Sequence, residues 1–295
     1  ELSNRLANAK YFNWDVETTG LHAWQTLKRM TKSYVEGLSK GIKLDLMLAD
    51  KTALRIGDNV YHVIPAARIC GHAIMVDGFS YYIPVEHEEE GNTFKNIDDL
   101  LFARYILPHF YNADQLVVNH NIKFDLHMLR FHYAKVGQII GLDGTIYEID
   151  PKVGIVPRAK VCDTMVLAHL ANENSWEWDR KGRPVFKLKV LGKVFYGDDA
   201  DDQEQFLKDY MKKNKLLRYS QIPIEILGPY AIRDVELVDA VYLGVMKLLR
   251  DEWKDDKIGF SLDRLIEDDM TFLRILEEVY SFGIHVDRKV VQAYF

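Results

Sequence analysis

The pattern of apolar and polar residues along the chain predicts strands that alternate with helices. Strands are expected at residues 10–16, 68–76, 79–85, 115–119 and close to 161–162, and helices at residues 97–110, from 123, at 164–170 and from 229 to about 253. The turn Asp77-Gly78 is typical of a hairpin, Asp163 suits the cap of a helix, and Pro229 after Gly228 suits the first position of the long helix. Strands interleaved with helices indicate an α/β fold built on a mixed sheet.

Two segments stand apart from this pattern. Residues 22–65 carry short helical patterns between two strands that could otherwise join directly, so we expect an insertion after the first strand. Residues 262–280 have a separate amphipathic pattern, and the charged stretch 251–257 before them is typical of a domain boundary. The sequence therefore predicts one domain at residues 1–257, with the insertion at about 22–65, and a further unit at residues 258–295.

Length and composition restrict the class of protein. The 295 residues are 48% hydrophobic and 28% charged, which describes an ordinary soluble protein able to bury one large core. No apolar run approaches the roughly 18 residues of a membrane span, so we expect no membrane partner. Cys70 and Cys162 lie in apolar stretches far apart in sequence. This placement favours buried reduced thiols of a cytosolic protein over a disulfide or a zinc site.

The net charge of −6 gives by itself no support for nucleic-acid binding. Two local groups of basic residues could follow phosphates: Arg180, Lys181, Arg183, Lys187, Lys189 and Lys193, and then Lys208, Lys212, Lys213, Lys215 and Arg218. Each group is equally typical of a solvated helix or loop face. Net charge is a poor guide here, because a site made of carboxylates accepts DNA only after cations have bound.

The first candidate site is Asp15-Val16-Glu17, at the end of the first predicted strand. Residues i and i+2 of a strand point to the same face, so both carboxylates project together. Two adjacent acids on a core strand repel each other and are costly to desolvate unless cations neutralise them. Oxygen ligands of this kind suit Mg²⁺ or Mn²⁺. The alternative is an ordinary exposed strand end.

Two further acids lie far along the chain. Asp125 follows a predicted strand and falls in the first turn of a helix, where a carboxylate also stabilises the helix dipole without any other role. Tyr230 and Asp234 are four residues apart on the long helix and therefore share a face. Each of these patterns is weak when taken alone.

Together, the three patterns resemble the exonuclease motifs of the DEDD superfamily. Asp-x-Glu lies on the first strand, Asn-x-x-Phe-Asp follows a later strand, and Tyr-x-x-x-Asp lies on a late helix, where the tyrosine marks one subclass. The resemblance implies a ribonuclease H-like mixed β-sheet flanked by helices. It also implies that four acids bind metal, Asp15, Glu17, Asp125 and Asp234, and that Tyr230 orients the attacking water.

The resemblance further implies which residues meet the substrate. Asn121 and Phe124 match the flanking positions of the second motif, and Thr18 and Leu21 match positions close to the terminal nucleotide in relatives. The implied reaction is hydrolysis of phosphodiester bonds at single-stranded DNA 3′ ends with release of 5′-mononucleotides. Two divalent ions, Mg²⁺ or Mn²⁺, about 3.5–4 Å apart would activate water and stabilise the leaving oxygen.

More of the chain resembles family-A DNA polymerases, the group of bacterial DNA polymerase I and its phage relatives. Residues 67–85, 162–168 and 188–196 are similar to segments of their proofreading domain, and residues 276–287 are similar to the first helix of their polymerase domain and the turn after it. The resemblance implies proofreading for a polymerase domain in cis, in a bacterial or phage-infected cytoplasm. The chain starts without Met and ends at Phe295 inside that similarity, so we expect a monomeric fragment of a longer protein.

The insertion departs from the family pattern, because relatives pass from the first motif to the next strand within a few residues. Residues 22–65 are expected to clamp single-stranded DNA, to contact a protein or to be passive. Five of their side chains could stack on or pair with a strand: Trp24, Arg29, Lys32, Lys40 and Lys43.

Two other functions share parts of this pattern. A stand-alone nuclease of the ribonuclease D kind, which trims RNA 3′ ends, has the same four acids and the tyrosine, but a helical nucleic-acid-binding domain after them. A catalytically silent module that guides DNA is the other alternative. The presence of all four acids argues against a silent module, because such a module has no reason to tolerate their mutual repulsion.

Overall fold

A five-stranded sheet lies at the centre of the protein. The computed structural model describes residues 1–21, 26–31, 35, 47–51, 53–56, 58–64, 66–88, 93–174, 176, 185–197, 202–252 and 261–283. The strands are β1 (Tyr11–Thr18), β2 (Thr26–Arg29), β3 (Ala53–Ile56), β4 (Asn59–Ile64), β5 (Ile69–Val76), β6 (Phe79–Pro84), β7 (Leu116–Asn119), β8 (Gln138–Ile140), β9 (Ile146–Glu148) and β10 (Lys160–Asp163). The helices are α1 (Leu2–Asn8), α2 (Asp99–Tyr105), α3 (Leu107–Phe110), α4 (Ile122–His132), α5 (Thr164–Ala171), α6 (Leu188–Phe195), α7 (Asp202–Asn214), α8 (Ile224–Glu252) and α9 (Leu262–Phe282).

The order of strands in the central sheet is β10-β7-β1-β5-β6. β1 runs parallel to β7, and β7 runs parallel to β10, whereas β5 is antiparallel to both β1 and β6. Tyr11 and Asn13 of β1 contact α8, while the intervening Phe12 and the following Trp14 pack edge-on against Phe110 of α3. Helices therefore cover both faces. The predicted α/β fold, a mixed sheet flanked by helices, is confirmed.

The segment between β1 and β5 contains a second small sheet. Its antiparallel strands have the order β2-β4-β3, and Met30, Ala53 and Val60 form a separate buried cluster. Extra strands are therefore present after the first strand, and the insertion at about 22–65 stays a prediction. Arg29 lies exposed in β2, whereas Trp24, Lys32, Lys40 and Lys43 lie outside the described residues.

The long helix begins earlier than the sequence predicts. α8 starts at Ile224, directly after Pro223, so Pro229 lies inside the helix and its expected place at the first position is wrong. Proline inside a helix removes one hydrogen bond to the carbonyl four residues earlier, here that of Glu225. Both Pro229 and Glu225 are exposed, so water can satisfy that carbonyl.

The prediction of a single helix at residues 97–110 is also wrong. Two helices, α2 and α3, occupy this range and meet at Ile106. Pro108 lies in the first turn of α3, and the residue before a proline is biased away from helical geometry, which favours a break here.

Helix α9 packs on the same core as the sheet. Met270 and Leu273 are buried with the central cluster, and the Sδ atom of Met270 accepts a hydrogen bond from the backbone N–H of Asp163 at 3.2 Å. Between α4 and α9, Arg130 donates hydrogen bonds from Nε and Nη2 to the Glu277 carboxylate, at 2.9 and 2.5 Å. The expected boundary at residue 257 falls outside the described residues, as do residues 284–295.

The two cysteines and the apolar character of the helices bear on two expectations from composition. Cys70 and Cys162 are both buried and free, as predicted. Among the helices that the structure describes, none is long and apolar enough to cross a membrane.

Replacement of Glu277 by alanine should lower the free energy of unfolding by about 3 kcal/mol, because it leaves the buried Arg130 guanidinium without its partner. Urea denaturation measures the loss. Glu278→Ala, at the next and exposed position of the same helix, is the control and should cost less than about 0.5 kcal/mol. Equal small losses in both variants would mean that α9 does not pack on α4 in solution.

Candidate metal centre

One face of β1 is polar along its whole length and lies under α8. Tyr11 Oη and Asn13 Nδ2 both donate hydrogen bonds to Asp239 Oδ1, at 2.9 and 2.8 Å. Asp15 and Glu17 continue the same face because strand side chains alternate. Asp234, which lies earlier on α8, is close to Asp15 and Glu17. One carboxylate oxygen from each of three residues, Asp15, Glu17 and Asp234, lies within 4.8 Å of the others.

Asp125 reaches the same place from α4. Its Oδ1 accepts a hydrogen bond from the backbone N–H of Val16 at 3.1 Å, between the two acids of β1. The Asp125 side chain is buried, as are those of Glu17 and Asp234. The structure thus brings together the four acids that the sequence analysis selected from three distant motifs.

A fifth acid fixes the start of α4. The Asp163 carboxylate, at the end of β10, accepts backbone hydrogen bonds from Asn121 at 2.9 Å, Ile122 at 3.1 Å and Met165 at 2.9 Å. It therefore holds the first turns of both α4 and α5. Asn121 has the left-handed backbone conformation φ 60°, ψ 42° at this junction, which asparagine tolerates better than most residues. The sequence analysis recognised only the cap on α5.

Burial and mutual repulsion disfavour the charged forms of these acids. Burial raises the pKa of Asp15 to about 6, although the Lys189 ammonium, the Asn119 side chain and the Val16 N–H counteract it. Burial, and then the Asp15 and Asp125 carboxylates, raise the pKa of Glu17 well above its usual range. Burial, and then Asp15, do the same to the pKa of Asp125. A cluster of carboxylate oxygens that resists ionisation fits a hard divalent cation, whose charge would favour the ionised forms.

Lys189 supplies a positive charge inside the cluster. Its ammonium contacts the Asp234 carboxylate and lies 4.8 Å from the centre of the Tyr230 ring. The sequence analysis placed Lys189 only in a basic group that could follow phosphates. The missed signal is its place in α6, whose apolar residues Leu191 and Phe195 face α8.

Two tyrosines adjoin the acids. Burial, followed by the Glu17 charge, raises the pKa of Tyr230 well above that of a free phenol, so this hydroxyl keeps its proton at neutral pH. Tyr219, in the short 3₁₀ turn Tyr219–Gln221 before α8, has its pKa raised to about 12 by burial and then by Glu17. The sequence analysis missed Tyr219, since no motif marks it.

The four residues predicted to contact the substrate lie close to the acids in sequence, but their side chains differ in exposure. Thr18 ends β1, and its Oγ1 donates a hydrogen bond to the Gly20 carbonyl at 2.7 Å. Leu21 is 76% exposed, so its side chain is open to a ligand. Asn121 precedes α4, and Phe124, in the first turn, packs half-buried against the central core.

A second group of possible ligands has the wrong hydrogen bonding for a metal. One atom each of Glu86, Asp99 and His132 lies within 4.8 Å of the others. However, His132 Nδ1 accepts a hydrogen bond from the Ile69 N–H at 3.1 Å, so the ring proton is on Nε2, which faces Asp99 at 3.4 Å. Binding of a metal at Nε2 would move the proton to Nδ1, where it would meet another N–H.

Sequence comparison identifies a relative for part of the chain. Over 166 residues, 54% of the chain, it is 25% identical to a DNA polymerase of Escherichia phage T5, and the match spans 17% of that polymerase. The chain is thus similar to a small part of a much longer phage protein. No protein-family model matches the chain.

Solved structures with a similar course of the chain include a nuclease and NrnC of Brucella melitensis. A nuclease in its apo form has a TM-score of 0.48 at 13% identity and covers 98% of this chain and 93% of that chain. Brucella melitensis NrnC bound to pGG has a TM-score of 0.43 at 14% identity, covering 95% of this chain and 90% of that one. NrnC with bound Mg²⁺ has 0.42 at 14%, covering 94% and 87%.

The stability of the metal-free protein should fall as pH rises through about 6. Because the pKa of Asp15 is raised on folding from 3.8 to about 6, its contribution is present below pH 3.8 and is lost as pH rises through 6. Urea denaturation in EDTA at pH 5 and pH 7.5 measures the change. Asp15→Asn should reduce the loss by on the order of 1 kcal/mol, since one pKa unit corresponds to about 1.4 kcal/mol.

The control for this pH series is Asp114→Asn, which removes one charge at an exposed position near the opposite end of the same sheet. If Asp15→Asn and wild type lose equal stability between the two pH values, the Asp15 carboxyl is not buried among the other acids.

Proposed function

We propose that this chain is a 3′→5′ exonuclease that hydrolyses DNA ends and proofreads for a DNA polymerase. The observation that carries the proposal is the meeting of Asp15, Glu17 and Asp234 within 4.8 Å, with Asp125 bonded to the backbone between the first two. These acids stand in the order and spacing of the DEDD motifs. The similarity to part of a phage DNA polymerase supports the polymerase context.

In this proposal the four acids hold two divalent ions, Mg²⁺ or Mn²⁺. Such ions lower the pKa of bound water and stabilise the charge of a leaving oxygen. The donor set fits such ions, because it consists of carboxylate oxygens. Without a cation, burial and mutual repulsion favour the protonated forms of these carboxylates. The resemblance to the DEDD motifs makes Asp15 our candidate for the shared ligand. Its carboxylate interacts electrostatically with Glu17 and Asp125 and has an oxygen within 4.8 Å of one of Asp234, which supports that role.

Tyr230 is proposed to orient the attacking water. Its phenol retains its proton at neutral pH, so it acts through hydrogen bonding and does not remove a proton. The oxygen of water forms a bond to phosphorus while the bond from phosphorus to the 3′-oxygen breaks. A 5′-mononucleotide leaves, and the shortened strand keeps a 3′-hydroxyl.

Around this centre, four side chains are proposed to hold the terminal nucleotide: Thr18, Leu21, Asn121 and Phe124. The exposed Leu21 and the half-buried Phe124 offer apolar surface to a base, and Thr18 and Asn121 offer polar groups. The same proposal includes three further features. They are a polymerase domain in cis that starts within residues 258–295, a monomeric state and a cytoplasmic location.

The activity test is release of mononucleotides from the labelled 3′ end of single-stranded DNA and of RNA with the same sequence, with MgCl₂ or with EDTA. We expect metal-dependent release from DNA in preference to RNA. Asp15→Ala should abolish release, because it removes the shared ligand. Tyr230→Phe should lower the rate by about tenfold to a hundredfold, the usual loss when a reacting group is misplaced.

Tyr242→Phe is the matched control, since it removes a phenol hydroxyl further along the same helix and should leave the rate unchanged. Wild-type rates from Asp15→Ala would end the metal-site proposal. Degradation of RNA alone would favour a ribonuclease D-like enzyme, and no release from either strand would favour a silent DNA-guiding module.

A further inference from the structure

The Lys189 ammonium adjoins the acid cluster, and its charge acts on Asp15 and Glu17. It contacts Asp234, whose carboxylate has an oxygen within 4.8 Å of oxygens of Asp15 and Glu17. The Lys189 and Asp234 side chains are only 12% and 11% exposed. Because water screens charges weakly at such a position, this ammonium interacts strongly with the acids.

Packing of α6 on α8 fixes where Lys189 points. A Cβ atom on Gly244 of α8 would lie 2.2 Å from the Phe195 ring, so that ring occupies the space that a side chain would fill. Phe195 also packs edge-on against Trp176, and Leu191 is fully buried. With these contacts, α6 has one register on α8, and Lys189 in its first turn meets Asp234.

We propose that Lys189 is a built-in counter-ion that competes with divalent metal for Asp234 and so sets the metal affinity of the site. This inference rests on the proposed metal centre. The ammonium contacts Asp234 Oδ1, and a metal ion bound at that same oxygen would displace it, since the two cations repel each other. The ammonium must therefore leave Asp234 when metal binds, which its flexible four-carbon stem allows.

Two effects of opposite sign follow from this competition. Without metal, Lys189 offsets repulsion among the acids, so its removal should destabilise the protein. With metal, its removal abolishes the competition, so the metal should bind more tightly. An ion pair that only stabilises the fold would produce the first effect without the second.

The experiment compares wild type with Lys189→Met, which keeps the length of the stem and removes the charge. Titration with MnCl₂, followed by the electron paramagnetic resonance of free Mn²⁺, gives the affinity. Thermal unfolding in EDTA gives the stability of the metal-free protein. We expect Mn²⁺ to bind at least about tenfold more tightly to Lys189→Met, equivalent to about 1.4 kcal/mol, together with a lower Tm in EDTA.

Two further variants complete the set. Lys247→Met removes an exposed lysine more than three turns along α8 from Asp234 and should change neither quantity. Lys189→Gln gives the same comparison with a polar end should the methionine variant not fold. Equal or weaker Mn²⁺ binding by the Lys189 variants would overturn the inference. Failure of the proposed metal centre is distinct, because wild type and Asp15→Asn would then bind Mn²⁺ equally.

Discussion

Repulsion among buried carboxylates is the constraint on which the rest of the structure depends. Asp15, Glu17 and Asp234 lie within one small volume, and Asp125 adjoins them. Burial and this repulsion both disfavour their ionised forms, which makes the cluster costly to assemble without positive charge. The scaffold must therefore supply enough stability elsewhere to hold β1, α4 and α8 together. The proposed divalent ions and the Lys189 ammonium are two ways of offsetting the same repulsion.

Contacts of Asp163 and of Arg130 hold the helix that carries Asp125. Asp163 receives the backbone N–H groups that begin α4, and its own N–H donates to Met270 of α9. The buried pair of Arg130 and Glu277 joins α4 to α9 at the other end. Helix α4, which carries Asp125, is therefore held at both ends, and α9 contributes to the position of this acid.

The sequence predicted the framework well because its signals are local. Alternation placed Asp15 and Glu17 on one face of β1, and the mixed sheet followed from interleaved elements. The misses have tertiary causes. Helix α8 can run through Pro229 because the carbonyl that loses its hydrogen bond is exposed. Local helix propensity does not reveal that exposure. Lys189 and Tyr219 reach the acids through the packing of separate segments on α8, and neither residue belongs to one of the three motifs.

Anomalous X-ray diffraction from crystals soaked in MnCl₂ tests the central claim most directly, because it locates the cation relative to each acid. The account predicts Mn²⁺ bound by carboxylate oxygens of Asp15, Glu17, Asp125 and Asp234 together, with the Lys189 ammonium withdrawn from Asp234. Mn²⁺ bound elsewhere, or Asp234 turned away from Asp15 with no common site between them, would contradict it.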